Sequence, residues 1–367
     1  MNSNLKKISI SSIEDVYKIR LLRNTFDEII IHSKYLKYSG CLKYCLKYAL
    51  FAAKISGIIK VFDEPTKTYG FSRRTIDCWQ VLYQCAQTFY DDCNELLIDK
   101  KKSKFVYKKI KDSYENEGLS FGIVFSGNDE EIESLSHSVE SCINQTKKEN
   151  LEILICGPSN FDLNKLPKLI KNETKYIKYD QKINSSRFLV NEKKRFIFEN
   201  SKFNIVAINH CRISYPQNFY EKIYNYPIEF CTPLVVAIQR NKEFNYLGLS
   251  FLGSYDVTKT DSSFSFQGEI VDRDYLYYMK NKYPFIGGGL FVLNKNIISS
   301  SIFDSKIAWG EAEDIDLSMK VYTNGFLIDF FHDIKCTSNT RKYTFNNSLQ
   351  RRILRKIGKF LIKNRYI

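Results

Sequence analysis

Three carboxylates, Glu311, Glu313 and Asp314, crowd into the segment from Trp309 to Gly325, which reads WGEAEDIDLSMKVYTNG. A carboxylate within hydrogen-bond reach of a hydroxyl can take its proton as the oxygen attacks another centre, so the cluster is a candidate for general-base chemistry. The acids also stand where a helix should begin, because Ile315, Met319 and Tyr322 recur at i, i+4 and i+7 and Asn324-Gly325 closes the run. Carboxylates in a first helical turn face unpaired backbone N–H groups and the positive end of the macrodipole, so capping competes with catalysis as their role. Upstream, Phe285-Ile-Gly-Gly-Gly-Leu-Phe-Val-Leu293 reads as a strand entered through three residues without side chains, where a ligand can approach the backbone closely.

The elements that must position these residues begin at Ser120. Phe121-Gly-Ile-Val-Phe125 is a compact apolar run ending in Ser126-Gly127-Asn128, and an acidic helix start at Asp129-Glu130-Glu131 follows. That helix runs to about Gln145, and Leu151 to Cys156 is a second strand ending in the turn Gly157-Pro-Ser-Asn160. Two strands joined this way imply a right-handed crossover and a parallel sheet with a binding crevice at its C-terminal strand ends. Further strands are expected at Lys175 to Tyr179 and, after the basic cluster Lys193-Lys194-Arg195, at Phe203 to Ile208, which ends in Asn209-His210-Cys211-Arg212. A helix around Pro216 to Tyr224, strands near Leu234 to Gln239 and Tyr246 to Leu252, and a polar loop or flap from Asp256 to Asp274 come next. After the acidic helix, Phe326 to Phe331 forms a last strand delivering His332. Neither GxGxxG nor GxxxxGK[ST] occurs, so the Rossmann dinucleotide and P-loop fingerprints are missing.

Residues 1 to 117 show apolar residues at helical spacing in Val16 to Leu22, Leu42 to Ile59 and Trp79 to Leu97, and read as a helical N-terminal region ahead of an α/β domain over 118 to 345. With 367 residues and 44% apolar content the chain can bury a sizeable core. The net charge of +14 calls for an anionic partner: phospholipid, a phosphorylated substrate or nucleic acid. Nucleic acid ranks last, because no zinc-finger or RNP-type signature is present. Ten cysteines without a CxxC pair or regular framework read as reduced thiols in a cytoplasmic protein. The most apolar early stretch, Cys41 to Phe62, is interrupted by Lys43, Lys47, Lys54 and Lys60, so no membrane span or signal peptide is expected.

The strand-SGN-helix unit, the GPSN turn, the polar strand end at 209 to 212, FIGGG and WGEAED stand in an order that resembles the GT-A glycosyltransferases over residues 119 to 340. The resemblance is strongest to the family 2 enzymes that build bacterial surface polysaccharide, capsule or lipopolysaccharide. It implies an α/β GT-A fold with a mostly parallel central sheet and transfer of a sugar from a nucleotide-diphosphate sugar to a hydroxyl of a growing or lipid-linked glycan. Residue by residue, it implies that Ser126, Gly127, Asn128 and Ser159 bind the nucleoside. Gly287, Gly288 and Gly289 would border the sugar and diphosphate, and Asp314 would be the base, with Glu313 and Glu311 beside it. Most of that family hold Mg2+ or Mn2+ on the diphosphate with a DXD motif, whereas the strand end here, Asn209 to Arg212, carries no carboxylate. Two substitutes stay open: a metal bound jointly by His210 and His332, or direct neutralisation by Arg212 and the Lys193-Lys194-Arg195 cluster. Asp272-Arg-Asp274 lies in the polar loop and reads as an acceptor-side or solvated pair. The missing motif also raises the alternative of a catalytically inactive GT-A domain serving as a carbohydrate-binding or scaffold subunit.

The last segment, 346 to 367, places Leu349, Ile353, Leu354, Ile357, Phe360 and Leu361 on one helical stripe, with Arg351, Arg352, Arg355, Lys356, Lys359 and Lys363 around it. Such a basic amphipathic helix suits an anionic membrane interface, which would make the protein peripheral on the inner face of the cytoplasmic membrane; packing on the domain with a basic outer face is the competing reading. Deleting Asn347 to Ile367 should leave a folded chain that no longer sediments with anionic liposomes. Unchanged sedimentation at low salt would move the contact elsewhere, and an insoluble product would favour packing.

Overall fold

A computed structural model of the chain describes residues 5–64, 78–85, 87–180, 189–239, 242–252, 283–304, 306–307 and 313–338. The expected C-terminal helix, Glu311, and the Asp272-Asp274 pair lie outside these residues.

The N-terminal region is not the helical one its spacing predicts. It contains β1 (Lys7–Ile10), α1 (Ile13–Ile19), β2 (Phe26–His32), α2 (Ser33–Ser39), α3 (Leu42–Ala52), β3 (Ala53–Phe62), α4 (Cys78–Gln84), α5 (Gln87–Asp91), β4 (Cys93–Asp99) and β5 (Lys104–Lys109). The strands form one sheet in the order β1-β2-β3-β5-β4, with β1, β2 and β3 parallel. The error has a physical cause: the apolar run from Leu42 to Ile59 begins as helix α3 and turns extended at Ala53, with φ −69° and ψ 140°, to continue as β3. Every residue of α3 is buried, Lys43 and Lys47 included, so no solvated face marks where helix ends and strand begins.

The second part contains β6 (Leu119–Val124), α6 (Ile132–Ile143), β7 (Leu151–Pro158), α7 (Lys168–Glu173), β8 (Lys175–Tyr179), α8 (Val190–Asn200), β9 (Ile205–His210), β10 (Ile213–Ser214), α9 (Phe219–Ile223), β11 (Phe230–Gln239), β12 (Lys242–Leu247), β13 (Leu249–Leu252), β14 (Tyr283–Ile286), β15 (Leu290–Asn294), α10 (Glu313–Thr323) and β16 (Ile328–Ser338). The main sheet runs β10-β16-β11-β15-β9-β6-β7-β8, with β12 beside β11. The expected α/β architecture is present. Its β9-β6-β7-β8 portion is parallel, and antiparallel β15 joins it to the parallel pair β11-β16.

Side chains of the central strands alternate between two cores because successive residues point to opposite sheet faces. Ile205, Ala207, Leu290 and Val292 join one core with Leu135, Val139 and Cys142 of α6. Val206, Ile208, Phe291 and Leu293 join the other, with Ile197 of α8, Leu317 and Val321 of α10, and α1 and α3. Both faces are covered, which is why β6 reads as a continuous apolar run.

Two buried carboxylates tie α3 to the main sheet. Glu229 accepts from the Tyr114 hydroxyl and the Leu327 N–H, both at 2.6 Å, and the fully buried Lys47 ammonium lies 3.0 Å away. Asp329 accepts from Arg20 and from the Tyr48 hydroxyl, each at 2.9 Å. Removing one charge of a buried pair strands the other in a low-dielectric interior. Glu229→Gln should therefore lower unfolding free energy in urea by about 3–5 kcal/mol at neutral pH; a loss below about 1 kcal/mol would mean that the pair contributes little net stability.

Candidate functional site

The strand registers bring the predicted loops to one edge. Val124 of β6 lies opposite both Cys156 of β7 and His210 of β9, so the residues following these strands emerge side by side. The run from Phe285 to Leu293 is not one strand. It divides into β14, which pairs with β13, and β15, which enters the main sheet with Leu290 opposite Asn209. Gly287 to Gly289 make the passage between them, and the His210 N–H donates to the Gly289 carbonyl at 3.0 Å.

Helix α10 docks its first turn on this passage. Ser318 Oγ accepts from the Ile286 N–H at 3.1 Å, and Asp314 accepts from Gly288 at 3.3 Å through Oδ2 and from Ile315 at 2.9 Å through Oδ1. Asp314 thus holds backbone N–H groups, as a capping acid would, and packs against the glycine passage, where a base would need to be. A Cβ on Gly288 would fall 3.1 Å from Asp314 Cβ and 3.2 Å from both Glu313 Oε1 and Lys194 Nζ. Two acids and a lysine therefore converge on a point left open by a missing side chain.

Lys194 comes from α8. Its side chain is fully buried, its Nζ stands 5.4 Å from the Phe291 ring centroid, and the Nζ has no hydrogen-bond partner among the described residues. Burial pushes its pKa below the ordinary lysine value, while Glu313 and Asp314 pull it back up. Arg212 approaches from the end of β9: its Nη2 would lie 3.6 Å from a Cβ on Gly289, its guanidinium sits 5.7 Å from the Tyr246 ring centroid, and its buried Nε is unpartnered among the described residues.

The nucleoside loops form a second group at the same edge. Ser126 donates to Glu131 at 2.6 Å and accepts from the Asn128 N–H at 3.3 Å. Gly127 has φ +93°, and a Cβ there would come within 2.7 Å of Pro158 Cγ, so the tight SGN turn excludes a side chain. Asn128 is exposed, and the Ser159 N–H donates to the Tyr179 carbonyl at 3.1 Å. Helix α8 links the two groups: Lys193 donates to the Phe125 carbonyl at 2.8 Å beside the SGN loop, and its neighbour Lys194 turns to Gly288. Burial lowers the Lys193 pKa to about 8. The cluster that reads as a basic patch in sequence is thus largely internal.

His210 and His332 are not brought together. They belong to β9 and β16, with β15 and β11 between, and three strand spacings of about 4.8 Å separate them by ~14 Å. His210 is buried whereas His332 is exposed, because β16 continues through it to Ser338 rather than ending before it. No group of three or more His, Cys, Asp or Glu side chains among the described residues is placed to hold a metal ion.

Sequence reasoning missed Asn191 and Tyr246. Asn191 is fully buried one turn before Lys194, and neither of its side-chain amide atoms has a partner among the described residues; the same holds for the buried Tyr246 hydroxyl. The i, i+3 spacing of Asn191 and Lys194 is a usable signal only once helix α8 and its inward face are known.

No protein-family model matches this sequence. No curated protein matches it either. Among solved structures the chain is similar to GalNAc-T7, solved with UDP, GalNAc and Mn2+, at 16% identity and TM-score 0.46 over 70% of this chain and 48% of that one. It is also similar to S. aureus TarS 1-349, at 12% identity and TM-score 0.38 over 60% of each chain, and to the same protein in complex with UDP-GlcNAc, at 11% and 0.39 over 63% and 61%. This chain thus spans about half of the first and three-fifths of the second. With identities and TM-scores this low, the functional reading rests on the residues of the site.

Gly288→Ala should cost about 1–3 kcal/mol in urea unfolding by forcing back the first turn of α10. It should also abolish any ligand-induced rise in melting temperature; an intact rise would place the ligand away from this glycine. These solved neighbours are glycosyltransferases of the GT-A type.

Proposed function

We propose that the chain transfers a sugar from a nucleotide-diphosphate sugar to a hydroxyl of a growing glycan, with Asp314 as the general base. The observation that carries this reading is the convergence of Asp314, Glu313 and Lys194 on Gly288, at the sheet edge where β6, β7 and β9 end. An anionic donor needs positive charge beside its diphosphate and backbone open to close approach, and the attacking hydroxyl needs a carboxylate. All three occur around Gly288.

In the reaction the acceptor oxygen forms a bond to the anomeric carbon as the bond from that carbon to the diphosphate oxygen breaks. The hydroxyl proton passes to an Asp314 oxygen, and the bonding pair leaves with the diphosphate. The N–H groups of Gly288 and Ile315 fix the Asp314 carboxylate, and Glu313 is buried beside it. A polysaccharide acceptor follows from the sequence resemblance, and Ser126 to Asn128 with Ser159 would take the nucleoside. Retention of both acids favours an active enzyme over an inert scaffold.

A thermal-shift screen of UDP-, GDP-, CMP- and TDP-sugars tests the donor, because a ligand that binds only the folded state raises its melting temperature. Asp314→Asn should lower turnover on the order of 10²-fold or more with little change in donor affinity. Near-native turnover in that variant would remove Asp314 as the base.

A further inference from the structure

A departing diphosphate gains negative charge, and the chain must offset it. The GT-A pattern would supply a divalent cation on carboxylates at the end of the central strand, but the described residues there do not fit one. The segment Asn209 to Arg212 has no carboxylate. The Asn209 amide is occupied, donating to Ser138 Oγ at 3.1 Å and accepting from the Tyr215 hydroxyl at 3.0 Å. Glu313 and Asp314, the acids at the glycine passage, belong to no group of three or more His, Cys, Asp or Glu side chains placed to hold a metal ion among the described residues.

Two cationic side chains of the chain itself stand beside the glycine passage. Lys194 and Arg212 reach consecutive glycines, Gly288 and Gly289, from α8 and from the end of β9. An unpartnered ammonium in a protein interior is costly, and so are unpartnered amide and hydroxyl groups. Here Lys194 Nζ, Arg212 Nε, both amide atoms of Asn191 and the Tyr246 hydroxyl are all buried without a hydrogen-bond partner among the described residues. Asn191 lies on the Lys194 face of α8, and Tyr246 lies against Arg212. One anion with several acceptor oxygens satisfies such a set, and hydrogen bonds between charged partners are the strong ones.

We propose that Lys194 and Arg212 receive the donor diphosphate directly, without a divalent cation, and that Asn191 and the Tyr246 hydroxyl complete its hydrogen bonding. This rests on the nucleotide-sugar reading and specifies how that site handles charge.

Isothermal titration of the full chain with UDP, GDP and TDP, each in EDTA and again in Mn2+, tests it. The nucleotide that binds should keep its affinity in EDTA within about threefold, since less than 1 kcal/mol would then separate the two conditions. Lys194→Met and Arg212→Gln should each weaken it about tenfold or more. The nucleotide-free Lys194→Met protein should melt no lower than the native chain, because the change removes an unpaired buried charge. Should that variant fail to fold, the half-buried Arg212 carries the same test. Binding that vanishes in EDTA and returns with Mn2+ would overturn the inference and leave the transferase reading standing. Full binding in both variants would also overturn it. Binding of none of the three nucleotides in either condition would remove the nucleotide-sugar reading itself.

Discussion

Two carboxylates with almost no solvent, Glu229 and Asp329, govern how this molecule is assembled. One immediately precedes β11 and the other lies in β16, the parallel pair at the far side of the main sheet. A buried carboxylate is tolerable only when its oxygens are satisfied. Their partners come largely from the N-terminal region: Lys47, Tyr48, Arg20 and Tyr114. The N-terminal sheet is therefore not a loosely tethered appendage, and helix α3 completes the polar interior of the larger unit.

That constraint reaches the candidate site through α10. The helix leads directly into β16, and its C-terminal turn is held from α3 by Lys43, whose Nζ is 3.4 Å from the Tyr322 carbonyl and 4.3 Å from the Tyr322 ring centroid. Cationic charge at a helix C-terminus is favourable. Burial lowers the Lys43 pKa to about 8, so the contact carries its desolvation as well as its attraction. With its last turn and following strand fixed, α10 can press its acidic first turn onto Gly288 without a flexible join.

Lys194 is held near the acids of α10 rather than closed into a hydrogen-bonded pair with them. Lys194 faces Glu313 and Asp314 across the space above Gly288, yet its ammonium has no hydrogen-bond partner among the described residues. A closed ion pair would satisfy the interior and leave nothing for a ligand. Separated charges let the acids oppose the effect of burial on the lysine while leaving its donors available.

By itself, the sequence determined the elements whose signal is local. Continuous apolar runs closed by SGN and GPSN turns located β6 and β7, the i, i+4, i+7 spacing located α10 although the face it buries is that of Leu317, Ser318 and Val321, and the acids before it were readable as a capped helix start with chemical potential. Glycines marked the close approach, although not that they divide two strands of different sheets. Tertiary structure alone decided what depends on strand order and on which face is inside. It moved His210 and His332 three strands apart, turned the lysines of α3 and α8 inward, and built a sheet where helical spacing dominated the N-terminal sequence. The physical reason is that periodicity reports burial along one element, whereas pairing partners and the direction of a buried charge are set by contacts distant in the chain, as between Lys47 and Glu229 or Lys194 and Gly288.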